Sequence, residues 1–380
     1  MKGLMVSEAV NILRHNSEAA LRMKEYADVL GELHIVVTGC GHAMHEANVF
    51  IYPATLRFLG VLMGGWNLCR KVKFDVITVQ GANDIGLAGF FLARCFNVPF
   101  QLQLHTDVVS PWYRRASWKE CFGYWMAKFL IPRADSIRAV SERIKNSIQA
   151  KNCFILPIFT DVKKFFEAKR NPEIDMRFKK YDLKMIASGR FVEKEKNFLM
   201  LIEVMREFIK ICPTALLVIV GDGSDRKNYE LRIKNYGLKK NIILESWRSD
   251  LETFYKSFDL FLMSSNYEGW GRAALEAMAS GLPIVMTDVG LAGEVVKNEE
   301  NGIVVPVENA DAFLQAVKDL YKNPEKRQKL ADTGTIAVRS LLPHTKEEYL
   351  ELYKKSFEMM RKTRTHLKNR FRSEIRDFRA

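Results

Sequence analysis

Residues 265–283 have the sequence SNYEGWGRAALEAMASGLP, and this stretch defines a local fold more sharply than any other part of the chain. An apolar run ends at Ser264, two glycines follow at 269 and 271, and good helix formers come next. These features predict a strand, a loop and a helix over Arg272–Ser280 that ends at Gly281. The amides at such a helix start lie at the positive end of the helix dipole and are suited to bind a diphosphate.

Glu268 and Glu276 are the two carboxylates of this stretch. On one helix their eight-residue spacing corresponds to about 12 Å, beyond the ~9.5 Å upper range for the paired carboxylates of glycoside hydrolases. Two interpretations remain from the pattern alone. Either the carboxylates contact different hydroxyls of one long polar ligand, which we favour, or the stretch is an ordinary strand-to-helix crossover with two solvated glutamates.

Outside this stretch, short apolar runs alternate with helix-length amphipathic segments over nearly the whole chain, which is typical of parallel sheets covered by helices. The predicted strands are Gly3–Val6, His34–Thr38, Phe74–Val79, Phe100–Leu104, Ser136–Val140, Cys153–Leu156, Met185–Gly189, Leu216–Gly221, Ile242–Glu245, Leu260–Ser264 and Pro283–Thr287. The fold class is therefore predicted as α/β, with two Rossmann-like doubly wound domains facing a central cleft. Ligands of such folds bind at the carboxyl ends of the strands.

The segment Lys163–Tyr181 is charged and lacks a sustained apolar face, so we place the domain junction there. The predicted N-terminal domain is 1–165, the C-terminal domain is 166–345, and a C-terminal helix with a basic amphipathic tail occupies 346–380. Apolar side chains recur in the tail at Leu367, Phe371, Ile375 and Phe378. This stripe predicts a helix that either packs on the body of the protein or binds a membrane surface.

The excess of basic over acidic residues is unevenly distributed. The chain has 380 residues and a formal net charge of +13. Residues 1–165 carry +7, residues 166–360 carry no net charge, and the last twenty residues carry +6. This distribution argues against a uniformly basic nucleic-acid binder and indicates an anionic surface as partner of the first half and the tail.

Aromatic and cationic residues are interleaved in residues 111–119, which have the sequence PWYRRASWK. Trp with Arg and Lys suits an anionic membrane interface, and we favour this interpretation because the tail has a similar composition. The same mixture also suits single-stranded nucleic acid, and Trp112 and Trp118 are equally compatible with packing inside the domain.

The six cysteines are far apart and include no C-x-x-C pair, so they predict buried thiols in a reducing compartment and no zinc site. No apolar run approaches the 18 or so residues that span a bilayer. We therefore expect a cytoplasmic protein, with peripheral attachment to the membrane as an option. No two Asp residues are two positions apart, so no D-x-D motif predicts a carboxylate-bound divalent metal.

The spacing of Glu268 and Glu276 within EGWGRAALEAMASGLP resembles the E-x7-E signature of the retaining family 4 glycosyltransferases, which have the GT-B fold. Further matches follow in the family's order, and they cover roughly residues 70 to 325. They are Phe74-Asp75, His105, Ala134-Asp135, Ala139-Val140-Ser141, Ser188-Gly189-Arg190, Lys196-Asn197, Val220-Gly221-Asp222-Gly223 and Asp259-Leu260. Two parts depart from the family: residues 8–16 lack the paired glycines after the first strand, and Pro157 to Asp161 read PIFTD in place of P-N-G-V-D.

The resemblance assigns roles to individual residues. It implies that Arg190 and Lys196 stabilise the leaving diphosphate, that Glu268 binds donor-sugar hydroxyls, and that Glu276 binds the ribose. It further implies that His105 lies near the reacting centre. The remaining implied donor contacts are Gly189, Gly223, Arg248, Gly269, Trp270, Gly271 and Arg272.

The resemblance implies a metal-independent retaining glycosyltransferase without a resident cofactor. Its second domain would bind the nucleotide-sugar and its first domain the acceptor, which the resemblance does not identify. The positive charge of the first half and the tail favours a lipid-linked acceptor or a cell-surface glycan precursor. An anionic membrane is the expected partner surface, and no nucleic acid is expected. Two alternatives stay open: a nucleotide-sugar epimerase or hydrolase of the same fold, and a non-catalytic nucleotide-sugar-binding subunit at the membrane.

Overall fold

Two β-sheets organise the chain in this computed structural model, which describes residues 1–341, 343, 345–358 and 360. Residues 1–158 and the described residues from 343 onward form the first unit, and residues 159–341 form the second. The boundary between the two units, after residue 158, therefore lies before the predicted domain junction at Lys163–Tyr181. Phe165, in the supposed linker, is buried within the second unit, where its ring centroid lies 5.9 Å from that of Tyr255.

The first sheet has eight strands in the order β3-β4-β2-β1-β5-β6-β7-β8. The strands are β1 (Lys2–Ser7), β2 (Glu32–Thr38), β3 (Met44–Glu46), β4 (Val49–Ala54), β5 (Val76–Gln80), β6 (Phe100–Leu104), β7 (Ser136–Ala139) and β8 (Cys153–Ile155). All neighbours pair in parallel except β3 and β4, which form an antiparallel hairpin at the edge. The hairpin is absent from the sequence prediction because β3 is only three residues long and Pro53 weakens the strand pattern of β4.

The first unit contains the helices α1 (Glu18–Leu30), α2 (Arg57–Lys71), α3 (Asp84–Cys95), α4 (Pro111–Ala116), α5 (Trp118–Leu130) and α6 (Glu142–Ile148). Polar side chains cap five of these six helices, and α2 begins after Leu56 without a side-chain cap. Ser17 caps α1 and Asn83 caps α3, each by accepting a hydrogen bond from a backbone amide of the first turn. A C-terminal helix over residues 346–358 returns to this unit.

Tyrosines anchor the C-terminal helix to the first unit. The rings of Tyr353 and Tyr26 of α1 stack with centroids 4.0 Å apart. The buried guanidinium of Arg138 donates a hydrogen bond of 2.7 Å to the hydroxyl of Tyr349. The helix is thus part of the first core, whereas the predicted apolar stripe of residues 367–378 lies outside the described residues.

The second sheet has six parallel strands in the order β11-β10-β9-β12-β13-β14. The strands are β9 (Leu183–Ser188), β10 (Ala215–Val220), β11 (Ile242–Glu245), β12 (Leu260–Met263), β13 (Ile284–Thr287) and β14 (Ile303–Val305). The helices are α7 (Lys163–Glu167), α8 (Pro172–Arg177), α9 (Glu193–Lys196), α10 (Phe198–Phe208), α11 (Arg226–Asn235), α12 (Leu251–Tyr255), α13 (Arg272–Ala279), α14 (Ala310–Lys322) and α15 (Pro324–Arg339). Strand β10 is buried along its whole length, which is why its sequence is an unbroken apolar run.

Three aspartates of the recognised motifs have a structural role at the starts of the strands. The carboxylates of Asp75, Asp135 and Asp259 each accept a 2.8 Å hydrogen bond from a backbone amide. The donors are the amides of Lys2, Phe100 and Lys184, at the start of a neighbouring strand. These aspartates therefore help to fix the register of the parallel strands at the amino-terminal edge.

The prediction that the cysteines are buried is wrong for most of them. Only Cys212 is buried, whereas Cys40 and Cys95 are exposed and the other three are partly exposed. All six are free thiols.

Candidate functional site

The candidate site of the second unit lies where the strand order of its sheet changes direction. The chain runs outward from β9 through β10 to β11 and then returns to place β12 on the other side of β9. In open parallel sheets, ligands bind at the carboxyl ends of the strands beside such a switch point. The loops after β9 and β12 contain most of the predicted donor-site residues, so the topology brings them to one edge of the sheet.

Glycines allow the loops at this edge to approach closely. A Cβ atom on Gly221 would lie 1.9 Å from the carbonyl oxygen of Gly189, and one on Gly223 would lie 2.5 Å from that of Phe191. No side chain fits at either position. The buried ring of Phe191 packs edge-to-face on Phe198, with centroids 5.8 Å apart, and holds the loop after β9 on the core.

Four charged side chains of these loops form one network. The Lys196 ammonium lies 2.5 Å from Oε1 of Glu268 and 3.1 Å from Oε1 of Glu195. The Arg190 guanidinium donates to both oxygens of Glu195, at 2.8 and 3.1 Å. Glu195 therefore joins the two predicted diphosphate-binding cations, and Lys196 joins them to the glutamate of the next loop.

The network keeps its buried members charged. Burial works against the ammonium of Lys196, but Glu268 and Glu195 outweigh it and raise the pKa of Lys196 above its ordinary value. Burial also works against the carboxylate of Glu195, and Lys196 and Arg190 outweigh it, so that the pKa of Glu195 is lowered. At neutral pH Lys196 and Glu195 are therefore both charged and in contact.

Glu268 is held in place by the loop in which it lies. The hydroxyl of Ser265 donates a 2.8 Å hydrogen bond to Oε1 of Glu268, and the hydroxyl of Thr287 on β13 donates one of 2.6 Å to the carbonyl of Ser265. Gly290 lets the loop after β13 approach, since a Cβ there would lie 3.0 Å from the Cβ of Glu268. The carboxylate is thus positioned by two hydroxyls and by backbone packing.

Helix α13 starts beside this carboxylate without a side-chain cap. Gly271 is the N-cap residue, with φ +94°, and has no side chain to bind the first amides. Gly269 and Trp270 before it are buried, and the exposed Arg272 opens the helix. The first-turn amides and a guanidinium therefore lie next to Glu268, in an arrangement that suits an anion.

Glu276 lies one turn further along α13. Its carboxylate is 3.5 Å from the guanidinium of Arg272, and its side chain is 13% exposed. The pKa of Tyr255 is raised well above its ordinary value by burial and then by Glu276, and the hydroxyl of Tyr255 lies 2.6 Å from that of Ser188, which ends β9. Glu276 therefore belongs to the same strand-end edge as the network, on the helix side.

The predicted base-binding residues lie at the ends of β10 and β11. Gly223 is exposed in the loop after β10. Arg248 binds within its own loop: its guanidinium makes a bidentate pair with Asp250, at 2.8 and 2.7 Å, and lies 4.3 Å from the ring centroid of Phe254. Its neighbour Trp247 is 56% exposed, and sequence reasoning did not select it.

His105 lies in the first unit, directly after β6. Burial, followed by the charges of Arg138 and Arg22, lowers its pKa to about 3. Its Nε2 atom is 3.3 Å from the side-chain oxygen of Gln103. The imidazole is therefore neutral at pH 7 and is suited to hydrogen bonding rather than to carrying a proton as a cation. Its predicted position near the reacting centre stays a prediction.

Sequence reasoning missed Glu195 and Asn266. Glu195 lies in the run Glu193–Lys196, whose alternating charges look like an exposed helix face. The backbone amide of Asn266 donates 2.8 Å to the carbonyl of Glu195, and the side chain of Asn197 donates 3.0 Å to that of Asn266. The loops after β9 and β12 are thus joined by hydrogen bonds, which depend on three-dimensional pairing that the sequence does not display.

Across the described residues, no group of three or more His, Cys, Asp or Glu side chains could hold a metal ion. Metal independence stays a prediction. The arrangement offers positively charged groups in the place where a metal ion would otherwise be needed. Two cations and a helix start can bind a diphosphate, and two carboxylates can bind hydroxyls.

Family models match both units of the chain. The model described as "Glycosyl transferases group 1" matches residues 172–336, which include the charged network and α13. The model described as "Glycosyltransferase Family 4" matches residues 18–154, which include most of the first sheet. Together the two models cover most of the sequence.

Named relatives match shorter stretches. The lipopolysaccharide core biosynthesis glycosyltransferase LpsE of Rhizobium meliloti is 31% identical over 150 residues, 40% of this chain and 43% of LpsE. The UDP-Gal:alpha-D-GlcNAc-diphosphoundecaprenol alpha-1,3-galactosyltransferase of Escherichia coli is 26% identical over 271 residues, 67% of this chain and 68% of the relative. The chain thus spans less than half of LpsE and about two thirds of the second relative.

Solved structures resemble the chain over nearly its whole length. HepE of Anabaena, solved with UDP and glucose, matches with a TM-score of 0.73 and 17% identity over 95% of this chain and 100% of HepE. At this identity the similarity concerns the fold. The predicted GT-B class, with two Rossmann-like domains, is confirmed.

Proposed function

Because the chain belongs to the family 4 glycosyltransferases of the GT-B fold, we propose that it is a retaining glycosyltransferase, which moves a sugar from a nucleotide-sugar donor to an acceptor. The observation that carries this proposal is the ion pair between Lys196 and Glu268 at the strand-order switch point. In this proposal the cation binds the diphosphate and the carboxylate binds the sugar, at the edge where parallel sheets bind ligands.

The proposed chemistry is electrostatic. Breaking the bond between the anomeric carbon and the diphosphate leaves negative charge on the departing oxygen. Arg190, Lys196 and the amides at the start of α13 stabilise that charge. The acceptor hydroxyl forms the new bond on the same face of the sugar and gives its proton to a diphosphate oxygen. The leaving group thus takes both the bond's electron pair and the acceptor's proton.

The carboxylates orient the donor. Glu268 binds hydroxyls of the transferred sugar, and Glu276 binds hydroxyls of the ribose. The exposed indole of Trp247, after β11, stacks on the nucleobase in this proposal, since an aromatic face binds any base without sequence preference. Lys196 exchanges part of its contact with the two glutamates for the phosphate when the donor binds.

We propose a lipid-linked or cell-surface glycan precursor as the acceptor, bound by the first unit. The E. coli relative is named for transfer of galactose to a diphosphoundecaprenol-linked sugar, and LpsE for lipopolysaccharide core biosynthesis. The net positive charge of residues 1–165 suits an acceptor that carries phosphate.

We also propose that the protein works at the cytoplasmic face of an anionic membrane. Among the described residues, no helix is both long and apolar enough to cross a bilayer. In this proposal, contact with the bilayer comes from side chains at the surface of the protein.

The direct test is nucleotide release by the pure protein incubated with UDP, GDP and ADP sugars, with and without a membrane lipid extract. Release that requires the extract is expected. Release without the extract would instead favour a hydrolase, and no release with any donor would favour an epimerase or a non-catalytic binding subunit.

A further inference from the structure

Helix α5 carries a row of exposed aromatic side chains. Trp118, Phe122, Trp125 and Phe129 are 84, 58, 58 and 40% exposed. Their spacing of four, three and four residues places them on one side of the helix, opposite Met126 and the other buried positions that face the core. A packed helix normally puts such residues toward the core. Helix α5 instead has apolar side chains on its exposed side as well as on its buried side.

Helix α2 carries a second exposed apolar row. Leu59, Met63 and Trp66 are 56, 65 and 42% exposed, and Leu56 just before the helix is 61% exposed. Their spacing again selects one side of the helix, away from the buried Val61. The row is mostly aliphatic, which differs from the aromatic row of α5.

Helix α3 joins the two rows into one surface. A Cβ on Gly65 of α2 would lie 2.3 Å from Leu92 of α3, so these helices pack closely. On the other side of α3, the ring centroids of Phe90 and Phe129 of α5 are 5.8 Å apart. Phe91 of α3 is 43% exposed between the rows. We call the exposed apolar side chains of α2, α3 and α5 the apolar face.

Cations surround the apolar face. Helices α2 to α5 contain eight Lys or Arg residues and two Asp or Glu residues. Both acids already have partners: Asp84 binds Arg57, and Glu120 accepts a hydrogen bond from Ser117. Several cations lie directly over the rings.

Two of these contacts are in the aromatic row itself. The guanidinium of Arg133 lies 4.0 Å from the ring centroid of Phe129, and that of Arg114 lies 5.7 Å from that of Trp125. Guanidinium groups at the edge of inserted rings reach the depth of lipid phosphates. The face therefore combines an apolar centre with positive charge around it.

We propose that the apolar face docks on the surface of an anionic phospholipid bilayer. Contiguous exposed apolar surface of this extent marks an interaction site, and tryptophan with arginine and lysine is the composition found at the headgroup level. Two copies of the face would bring like charges together, which disfavours self-association. Aliphatic side chains such as Leu59 and Met63 offer no stacking platform, which disfavours nucleic acid.

This proposal rests on the membrane location proposed above and names the surface that makes the contact. It is independent of the transfer reaction, since docking requires neither donor nor acceptor. Its test uses the full chain and sedimentation with phosphatidylglycerol/phosphatidylcholine vesicles and with phosphatidylcholine vesicles. Wild type is expected to bind the anionic vesicles more tightly. The double variant Leu59→Ser/Met63→Ser is expected to lose about tenfold in partitioning. The matched control is Leu231→Ser/Ile336→Ser, at second-unit positions of similar exposure, 56 and 66%, which is expected to bind as wild type.

Quenching of tryptophan fluorescence by spin-labelled lipid locates the contact. The variant Trp66→Phe/Trp118→Phe/Trp125→Phe keeps the face apolar, so it is expected to bind vesicles while losing most of the quenching. The proposal is overturned if Leu59→Ser/Met63→Ser binds like wild type. It is equally overturned if quenching persists in the triple variant, or if the face proves to mediate dimers without vesicle binding.

Discussion

The ammonium of Lys196 lies 2.5 Å from the carboxylate of Glu268, although the two residues are 72 positions apart in the sequence. The pair connects the loop after β9 to the loop after β12, on either side of the point where the strand order reverses. The topology of the second sheet therefore preforms the charged pair that we propose binds the leaving diphosphate and the donor sugar.

Replacement of Glu268 by glutamine is expected to lower the transfer rate by about 10²-fold to 10³-fold while the protein stays folded. The amide cannot accept as strongly from sugar hydroxyls, and it leaves Lys196 with one carboxylate partner. The control is Glu207→Gln, which removes an exposed carboxylate of α10 that pairs with Lys210. Initial rates and thermal unfolding of both variants test the donor-site assignment, which fails if Glu268→Gln turns over like wild type.

Replacement of Glu195 by glutamine is expected to reduce kcat/KM by about tenfold to a hundredfold. Glu195 contacts Arg190 and Lys196 but is not proposed to touch the donor, so it acts by positioning the two cations. Glu195→Asp keeps the charge and is expected to recover part of the loss. Equal defects in the two variants would indicate a purely structural role.

The same residue predicts a pH dependence of stability. The pKa of Glu195 is lowered from 4.5 in the folded protein, so its stabilising contribution is complete above pH 4.5 and is lost as the pH falls through the folded pKa. The free-energy difference between wild type and Glu195→Gln, measured by urea unfolding, should therefore be constant above pH 4.5 and shrink below it. A difference that instead grows on acidification contradicts the network.

Replacement of Trp247 by alanine is expected to weaken nucleotide binding by about tenfold to a hundredfold, equivalent to roughly 1–3 kcal/mol of stacking. Trp247→Phe keeps an aromatic face and should retain most of the affinity. Calorimetric titration with the nucleoside diphosphate measures the affinity of each variant. If Trp247→Ala binds like wild type, the base lies elsewhere.

Replacement of Gly221 by alanine is expected to destabilise the protein by about 1–3 kcal/mol or more, because the new Cβ would lie 1.9 Å from the carbonyl oxygen of Gly189. The control is Gly64→Ala in α2, where the nearest atom beyond the helix backbone is 3.9 Å away, on Val36. That variant should remain within about 1 kcal/mol of wild type. Similar unfolding midpoints for Gly221→Ala and Gly64→Ala would contradict the expected loss of stability from the close approach of the loops.

Strand β10 was predictable because it is a buried and unbroken apolar run. β6 and β11 have the predicted bounds, and β10 differs by one residue at each end. The hairpin of β3 and β4 and the strand β14 were not predictable. β3 and β14 have three residues each and depend on pairing with a neighbour, and Pro53 weakens the pattern of β4. Helix α7 looked like a linker because a single buried side chain, Phe165, attaches it to the core.

Motif spacing selected Arg190, Lys196, Glu268 and Glu276, and their role in donor binding stays a prediction. The contacts that join them were not predictable from the sequence. Glu195 has the sequence pattern of a surface charge, yet it joins Arg190 to Lys196. The apolar face was only partly anticipated. Trp118 belongs to the segment selected from the sequence, whereas no residue of the α2 row was selected.

The most direct test of the proposed function is acceptor-dependent nucleotide release by wild type and by Lys196→Gln, with the fold of each checked by thermal unfolding. The proposed mechanism predicts release that requires the lipid extract in wild type. It predicts a loss of about 10²-fold or more in the variant, because the leaving diphosphate loses its buried cation. Release at the wild-type rate from folded Lys196→Gln would contradict it.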